Sequence, residues 1–404
     1  MRFCMVTTFY PPYHFGGDAT YVRALSRALV ARGHEVVVIH CEDAYNTVSH
    51  TRASTEVTHD GITVHRLKSR FGILSPLLTQ QLGQPGFKSA AIKKILNEKF
   101  DVVNFHNISL VGGPSVLKLS NAPVTLYTLH EHWLLCPTHI FWKNKSSACD
   151  QPQCIRCCLR SGIPPQLWRY TGLVKRNLAN VDLMLAPSQF TAQKHRDAGF
   201  KNNIQVLPLF SSLSPDRPPA FKTGSKPRFI FAGRVTASKG VEAMLKIFSE
   251  MSDVELQVVG DGDLLKQLQL DYVSSSHIYF MGSVTQHELI KLYQNATALI
   301  LPSLAPETFG LTVVEAFACG IPAIVRVAGG NREIIDETGA GFVYTSDDEL
   351  KSAVNKLATN ESLRIKLGEK ARTSYTQLYT EEHHTNKYLS FVADIKKQKE
   401  VVSH

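Results

Sequence analysis

Short, unbroken apolar runs rich in Val and Ile alternate with amphipathic stretches along the whole chain, and this pattern limits the fold more than any other feature. The first half offers Arg2–Thr8, Glu35–Cys41, Ile62–Leu67, Asp101–His106, Pro123–His130, Val181–Pro187 and Ile204–Leu209. Helical periodicity fills intervals such as Thr20–Arg32 and Lys88–Lys99. A strand with one face in water alternates apolar and polar residues; a run without alternation is covered on both faces, which is the condition of a parallel sheet between helices. The expected class is therefore α/β, doubly wound. Periodicity lapses over Leu209–Lys226, where Ser and Pro dominate, and resumes with strands at Arg228–Ala232, Glu255–Val259, Ile278–Met281, Ala298–Pro302, Ala323–Val327 and Phe342–Thr345. At roughly 150 residues per domain, 404 residues suit two such domains. The reading is a first domain over 1–210 with an insertion at about 136–160, a linker over 211–226 and a second domain over 227–380. A last helix over 381–404 crosses back to the first domain, and the facing domains leave a cleft for a ligand.

Composition excludes several classes. With 44% hydrophobic and 20% charged residues the chain is neither low-complexity nor disordered. No apolar stretch approaches the ~20 residues of a membrane helix. The opening run meets Pro11-Pro12 too soon for a signal peptide, so a cytoplasmic protein is expected. The net charge of +9 suits anionic small molecules or an acidic membrane face. No dense basic block with interleaved aromatics appears, so nucleic acid is not an expected partner. Lys396-Lys397-Gln398-Lys399 and the Lys143–Lys145 loop are the segments read as touching anionic lipid at a membrane face.

Three turns carry candidate chemistry. Strand one leads to Gly16-Gly17 at a helix start, where backbone N–H groups can approach a phosphate; a tight turn without a ligand is the alternative. Strand Arg228–Ala232 continues into Gly233-Arg234 and then Lys239-Gly240, placing two cations at a strand end and a helix start, which suits a diphosphate. Solvated surface cations are the alternative. After Pro302 come Glu307, then Phe309-Gly310-Leu311 opening a helix, and Glu315 inside an apolar Val-Val-Glu-Ala-Phe-Ala run closed by Gly320 and Pro322. A carboxylate in such a run needs a partner. Ribose or sugar hydroxyls would serve, and an internal salt bridge is the alternative.

These residues, in this order and spacing, resemble the retaining nucleotide-sugar transferases of glycosyltransferase family 4, with the GT-B double-Rossmann fold. The resemblance spans nearly the whole chain: Gly16-Gly17, Gly33–Val36, Gly233-Arg234 with Lys239-Gly240, Val259–Gly262, the Glu307/Glu315 pair and Gly329–Glu333. It implies that Glu307 binds donor-sugar hydroxyls and Glu315 the ribose. Arg234, Lys239 and the amides of Phe309, Gly310 and Leu311 would hold the diphosphate, with Gly17 closing over it. His130, at a strand end in Leu129-His130-Glu131, matches the histidine that contacts the donor sugar near the reacting carbon; His106 is a weaker candidate. Base contacts would come from backbone near Ser283-Val284. Fixed cations and a helix N-terminus would take the place of a catalytic metal on the leaving diphosphate. The expected partners are a nucleoside diphosphate sugar and a hydroxyl acceptor in a glycan or glycolipid. An epimerase or a sugar-phosphate synthase of the same fold is the nearest alternative. A NAD-dependent oxidoreductase gripping ribose through Glu42-Asp43 is the alternative from another class.

Asp261-Gly262-Asp263 imitates a metal-binding D-x-D, but its place after a strand and before a helix reads as a turn plus an N-cap. Five of the eight cysteines cluster at Cys136, Cys149, Cys154, Cys157 and Cys158. The C-x12-C-x4-C-x2-C spacing fits a structural zinc on Cys136, Cys149, Cys154 and Cys157, with free thiols or an iron–sulfur cluster as alternatives. A subgroup of the family with a cysteine-rich insertion after Trp-x-x-Cys-Pro shows a similar pattern. Cys4, Cys41 and Cys319 sit in apolar runs and read as core.

Overall fold

The computed structural model describes residues 1–14, 16–49, 60–213 and 226–403. It comprises two compact units, Met1–His139 with Cys154–Leu209 and Glu381–His404, and Ile140–Gln153 with Phe210–Thr380.

The first unit runs β1 (Arg2–Val6), α1 (Gly17–Ala31), β2 (Glu35–Cys41), α2 (Glu42–Val48), β3 (Thr63–Leu67), α3 (Leu74–Leu82), α4 (Ser89–Leu96), β4 (Val102–Phe105) and β5 (Val124–Thr128). A hairpin of β6 (Trp142–Lys143) and β7 (Ser147–Ala148) follows, clustered with the second unit. The chain then re-enters the first unit through α5 (Cys154–Arg160), α6 (Leu173–Leu178), β8 (Leu183–Ala186), α7 (Gln189–Asp197) and β9 (Ile204–Val206). Its seven strands lie in the order β3-β2-β1-β4-β5-β8-β9, with every neighbouring pair parallel. Phe3, Cys4, Met5 and Val6 are wholly buried, so the unbroken apolar run of β1 reflects cover on both faces of the sheet.

The second unit runs β10 (Arg228–Ala232), α8 (Val241–Ser249), β11 (Glu255–Val259), α9 (Leu265–Asp271), β12 (Ile278–Gly282), α10 (Gln286–Gln294), β13 (Ala298–Leu301), α11 (Leu311–Ala318), β14 (Ala323–Arg326), α12 (Asn331–Thr338), β15 (Gly341–Tyr344), α13 (Asp347–Thr359) and α14 (Glu361–Leu378). Its parallel sheet has the order β12-β11-β10-β13-β14-β15. The expected doubly wound α/β class is thus present twice. In each sheet the order reverses beside the first strand, between β1 and β4 and between β10 and β13. The loops leaving such a pair diverge and open a crevice where ligands bind.

Residues 214–225, most of the expected linker, lie outside the described residues. Its beginning already belongs to the second unit: the Tyr375 hydroxyl donates to the carbonyls of Ser211 and Leu213, at 3.0 Å each. The expected insertion at about 136–160 is divided, since only 140–153 cluster with the second unit. The helix α15 (Glu381–Ser403) contacts α1 and β5. Tyr388 on it is fully buried, and its hydroxyl accepts a 3.2 Å hydrogen bond from the Asn104 amide. Lys396 and Lys399 pair with Asp101 and Asp182 at 2.8 and 2.6 Å, and Lys143 pairs with Asp150 at 3.0 Å. The lysines read as lipid contacts from sequence are therefore largely engaged within the protein.

Buried neutral histidines make the first unit acid-sensitive. Burial pushes His40, His195 and His384 down to about 4 and His130 to about 3. The unfolded chain binds a proton at each near pH 6.5, whereas the folded unit does so only near 3 to 4. Their contribution is present above pH 6.5 and is lost as pH falls toward 4, on the order of 3 kcal/mol from each. Glu315 in the second unit works in the opposite sense, because its carboxyl is pushed up to about 7 by burial. Urea midpoints at pH 7.5, 6 and 5 should fall for the first unit, followed through Trp133 and Trp168, ahead of any fall in the second.

Candidate active site

In the second unit, the loops after β10 and β13 are locked to each other by backbone hydrogen bonds. The N–H groups of Leu304 and Ala305 both donate to the Ser238 carbonyl at 2.9 Å. The Glu307 N–H donates to the Ala328 carbonyl at 2.9 Å, and its own carbonyl accepts from Gly330 at 2.8 Å. Close approach demands glycine here: a Cβ on Gly329 would lie 2.2 Å from the Glu307 carbonyl oxygen, and one on Gly240 would lie 2.1 Å from that of Pro302. The backbone of Glu307 is therefore set by three strand ends.

The side chain is equally constrained. The Lys239 ammonium and the Ser303 hydroxyl each donate to Glu307 Oε1 at 2.5 Å. Burial alone would raise the carboxyl, but Lys239, Ser303 and the Arg234 charge outweigh it and hold Glu307 below the usual range. Arg234 has no ion-pair partner among the described residues. Phe309 is buried against Tyr379, ring centroids 6.1 Å apart, and fixes the entry to α11. That helix begins at Gly310, with φ of 120°, and has neither a side-chain cap nor an acid in its first turn. Its N-terminus is left with the partial positive charge of unsatisfied amides. By contrast α10, which follows Val284, is closed by a capping box of Thr285 and Glu288.

Glu315 lies one turn along α11. The Tyr293 hydroxyl donates to its Oε2 at 3.3 Å, and no cation pairs with it among the described residues, so the internal salt bridge is not found. The two carboxyls of this unit thus differ in state: Glu307 is firmly ionised, and Glu315 titrates near neutrality. Tyr293 and Ser303 are partners that sequence reasoning missed, since nothing in their local pattern marks them. Asp263 is not the N-cap expected of it: α9 has Leu264 there without side-chain capping, and Asp261 turns back to accept from the Gly262 N–H at 2.7 Å.

In the first unit, Gly16 and Gly17 open α1 as expected, Gly16 with φ of 100°. Asp18, which sequence reasoning passed over, accepts from the Ala19 N–H at 2.8 Å and the Asn107 amide at 3.2 Å. Burial, then the Glu131 charge, pushes it up to about 6. His130 follows β5, its Nε2 2.9 Å from His106 Nδ1, with the Tyr21 ring edge-on at 4.8 Å between centroids. Burial, then the nearby His384, keeps His130 neutral. Tyr21 in turn hydrogen-bonds His384 at 2.7 Å, and His384 Nδ1–H donates to the Pro208 carbonyl at 2.8 Å.

Two expectations find no support among the described residues. Among the described residues no group of three or more His, Cys, Asp or Glu is placed to hold a metal ion. Burial pulls the Arg169 guanidinium down to about 10, with Cys136, Cys154 and Cys158 acting in the opposite sense, and Cys149 follows the β6–β7 hairpin. The structure thus lends no support to the structural zinc expected on Cys136, Cys149, Cys154 and Cys157. Glu42 pairs with Arg66 and Lys68, both at 2.9 Å, and Asp43 accepts from the Ser69 N–H at 2.7 Å, so this pair is engaged in tying β3 to α2 rather than presented to a ribose.

Because Gly329 has φ of 86° and faces the Glu307 backbone, Gly329→Ala should cost about 1–3 kcal/mol, read as a lower urea midpoint of the second unit. Gly282→Ala is the control: φ there is 65°, but nothing lies within 4 Å of the new Cβ, so only the backbone strain remains.

Residues 15–210 match the family described as Glycosyltransferase Family 4, and residues 215–374 match Glycosyl transferases group 1. An uncharacterized glycosyltransferase of Methanocaldococcus jannaschii is 24% identical over 420 residues, covering 94% of this chain and 95% of that protein. The sucrose-phosphate synthase of Thermosynechococcus elongatus superimposes with a TM-score of 0.74 at 18% identity, covering 98% of each chain. HepE of Anabaena in complex with UDP-glucose gives 0.69 at 15% identity, covering 98% of this chain and 100% of its own. At these identities the solved structures speak for the fold, and the two family matches, one on each Rossmann-like half, speak for descent. The chain belongs to the glycosyltransferases of the GT-B type, with a family 4 first half and a group 1 second half.

Proposed function

We propose that the chain transfers a sugar, with retention of configuration, from a nucleoside diphosphate sugar to a hydroxyl of a glycan or glycolipid intermediate, in the cytoplasm and without a catalytic metal. The observation that carries the reading is the Lys239–Glu307–Ser303 cluster, with Arg234 beside it, at the uncapped head of α11. As the glycosidic bond breaks, negative charge develops on the diphosphate and positive charge on the sugar. Arg234, Lys239 and the amides of Phe309, Gly310 and Leu311 offset the first, in the manner of an oxyanion site. Glu307 accepts from the sugar hydroxyls, and Glu315 accepts from the ribose diol.

Lys239 has two anions to serve. Without a donor it neutralises Glu307; with one, it can turn toward a phosphate while sugar hydroxyls take its place on the carboxylate. His130, neutral at pH 7, is read as a hydrogen-bonding contact to the donor sugar rather than a charged one. The acceptor's proton passes to the departing phosphate, so no protein base is required. HepE was solved with UDP-glucose, which makes UDP-sugars the first donors to test.

Thermal unfolding against UDP-, GDP-, ADP- and dTDP-sugars and NAD(H) should show a rise with one nucleotide-sugar class, by about 2.7 kcal/mol at 100 times Kd. A rise with NAD(H), or with none of them, would remove the reading. Glu315→Ala should abolish that rise. In the parent protein donor affinity should strengthen between pH 6 and 8 as Glu315 ionises, and Glu315→Gln should flatten that change. His130→Ala should lower kcat by about 10²-fold or more and change donor affinity little. Product formed only with an acceptor, and undiminished by EDTA, separates transfer from epimerisation and from a metal-dependent route.

A further inference from the structure

Helix α3 is turned inside out. Its buried face is Ser75, Pro76 and Thr79, with the buried Lys88 ammonium among them, 3.0 Å from Ser75 Oγ and 2.9 Å from Thr79 Oγ1. Its outer face is apolar: Ile73, Leu74 and Leu77 are exposed, Leu74 by 61%. A surface helix in water shows the reverse arrangement. Next to it Phe71 stacks on Phe87, centroids 4.1 Å apart, and both rings remain exposed.

The exposed apolar surface continues beyond α3. The Trp168 indole N–H donates to the Gln80 carbonyl at 2.7 Å, and the Gln81 amide to the Pro164 carbonyl at 3.4 Å, which seats the segment after α5 beside α3. On α5 the exposed Ile155 and Leu159 alternate with exposed Arg156 and Arg160, while Cys157 and Cys158 point inward. Tyr170, near Cys154 and Cys158, is 65% exposed. Isolated apolar residues on a surface need no account, but a cluster from two adjoining segments does.

Charge identifies the occupant. Residues 61–97 carry six Lys and Arg and no Asp or Glu, and residues 154–181 carry five and none. Lys88 is buried, Arg169 is largely so, and Arg66 and Lys68 pair with Glu42, which leaves Arg70, Lys93, Lys94, Arg156, Arg160, Lys175 and Arg176 exposed. Beyond these two segments the chain is close to neutral. A second copy would set cations against cations. An acidic bilayer matches both features, with apolar side chains entering the headgroup boundary and cations at the phosphate level. No helix among the described residues is long and apolar enough to cross a membrane, so the contact would be peripheral.

We propose that the α3–α5 face of the first unit is the surface by which this protein sits on an anionic lipid bilayer. The inference locates the membrane contact on different residues from those the sequence suggested, and it stands independently of the sugar transfer. Co-sedimentation of the full chain with vesicles tests it. Vesicles of equal parts phosphatidylglycerol and phosphatidylcholine should bind at least about tenfold more tightly than phosphatidylcholine alone, and high salt should weaken that binding. Leu74→Ser/Leu77→Ser and, separately, Arg156→Glu/Arg160→Glu should each reduce it by about tenfold or more, with unchanged circular dichroism and thermal midpoint, since all four side chains are exposed. Equal binding to both vesicles, or double variants that bind like the parent, overturns the proposal. So does a concentration-dependent dimer that Leu74→Ser/Leu77→Ser dissolves, which would make the face an interface between copies. Donor binding is read separately, so loss of one result leaves the other standing.

Discussion

The candidate site of the second unit turns on keeping one carboxylate ionised where water is scarce. Glu307 alone would be costly at that place, and Lys239, Ser303 and Arg234 make it affordable. Their grip requires that two loops from different strand ends meet within hydrogen-bond distance. That in turn requires Gly240 and Gly329 where any Cβ would collide with a carbonyl. The parallel sheet supplies the setting, because only at the reversal of strand order do neighbouring strands send their loops apart and leave such a place open.

The same second unit holds its other carboxyl differently. Glu315 has a tyrosine for a partner instead of an ammonium, and titrates close to neutrality. Two acids eight residues apart thus differ by environment: one is held ionised, and the other titrates near neutrality. The first unit contributes histidines that burial keeps uncharged, joined through His106, His130, Tyr21 and His384 by hydrogen bonds and ring contacts.

The inner strands were readable because they are buried on both faces, unlike the edge strands β3 and β12: Glu35–Cys41, Arg228–Ala232 and Glu255–Val259 have the bounds their apolar runs imply, and the rest differ at their ends. The glycine-rich turns and the Glu307/Glu315 pair were likewise visible, since their spacing reflects strand, turn and helix lengths. What escaped depended on residues distant in sequence. Tyr293 reaches Glu315 across 22 positions and Tyr21 reaches His384 across 363, and no local periodicity marks such pairs. The cysteine spacing has a related gap, since ligand spacing alone does not say which thiols the fold brings together. Helix α3 was not singled out from the sequence, and its polarity is inverted, with Ser75, Pro76 and Thr79 turned inward.

Helix α15 completes the first sheet's cover with Tyr388 and His384, yet it follows the entire second unit in the chain. During synthesis the second sheet emerges with all its own parts, while the first waits with Asn104, Tyr21 and the Phe3 side uncovered. The half that is translated first is therefore the half that matures last. A nascent chain arrested just before residue 381 would hold one finished domain and one that still exposes a strip of its core to chaperones.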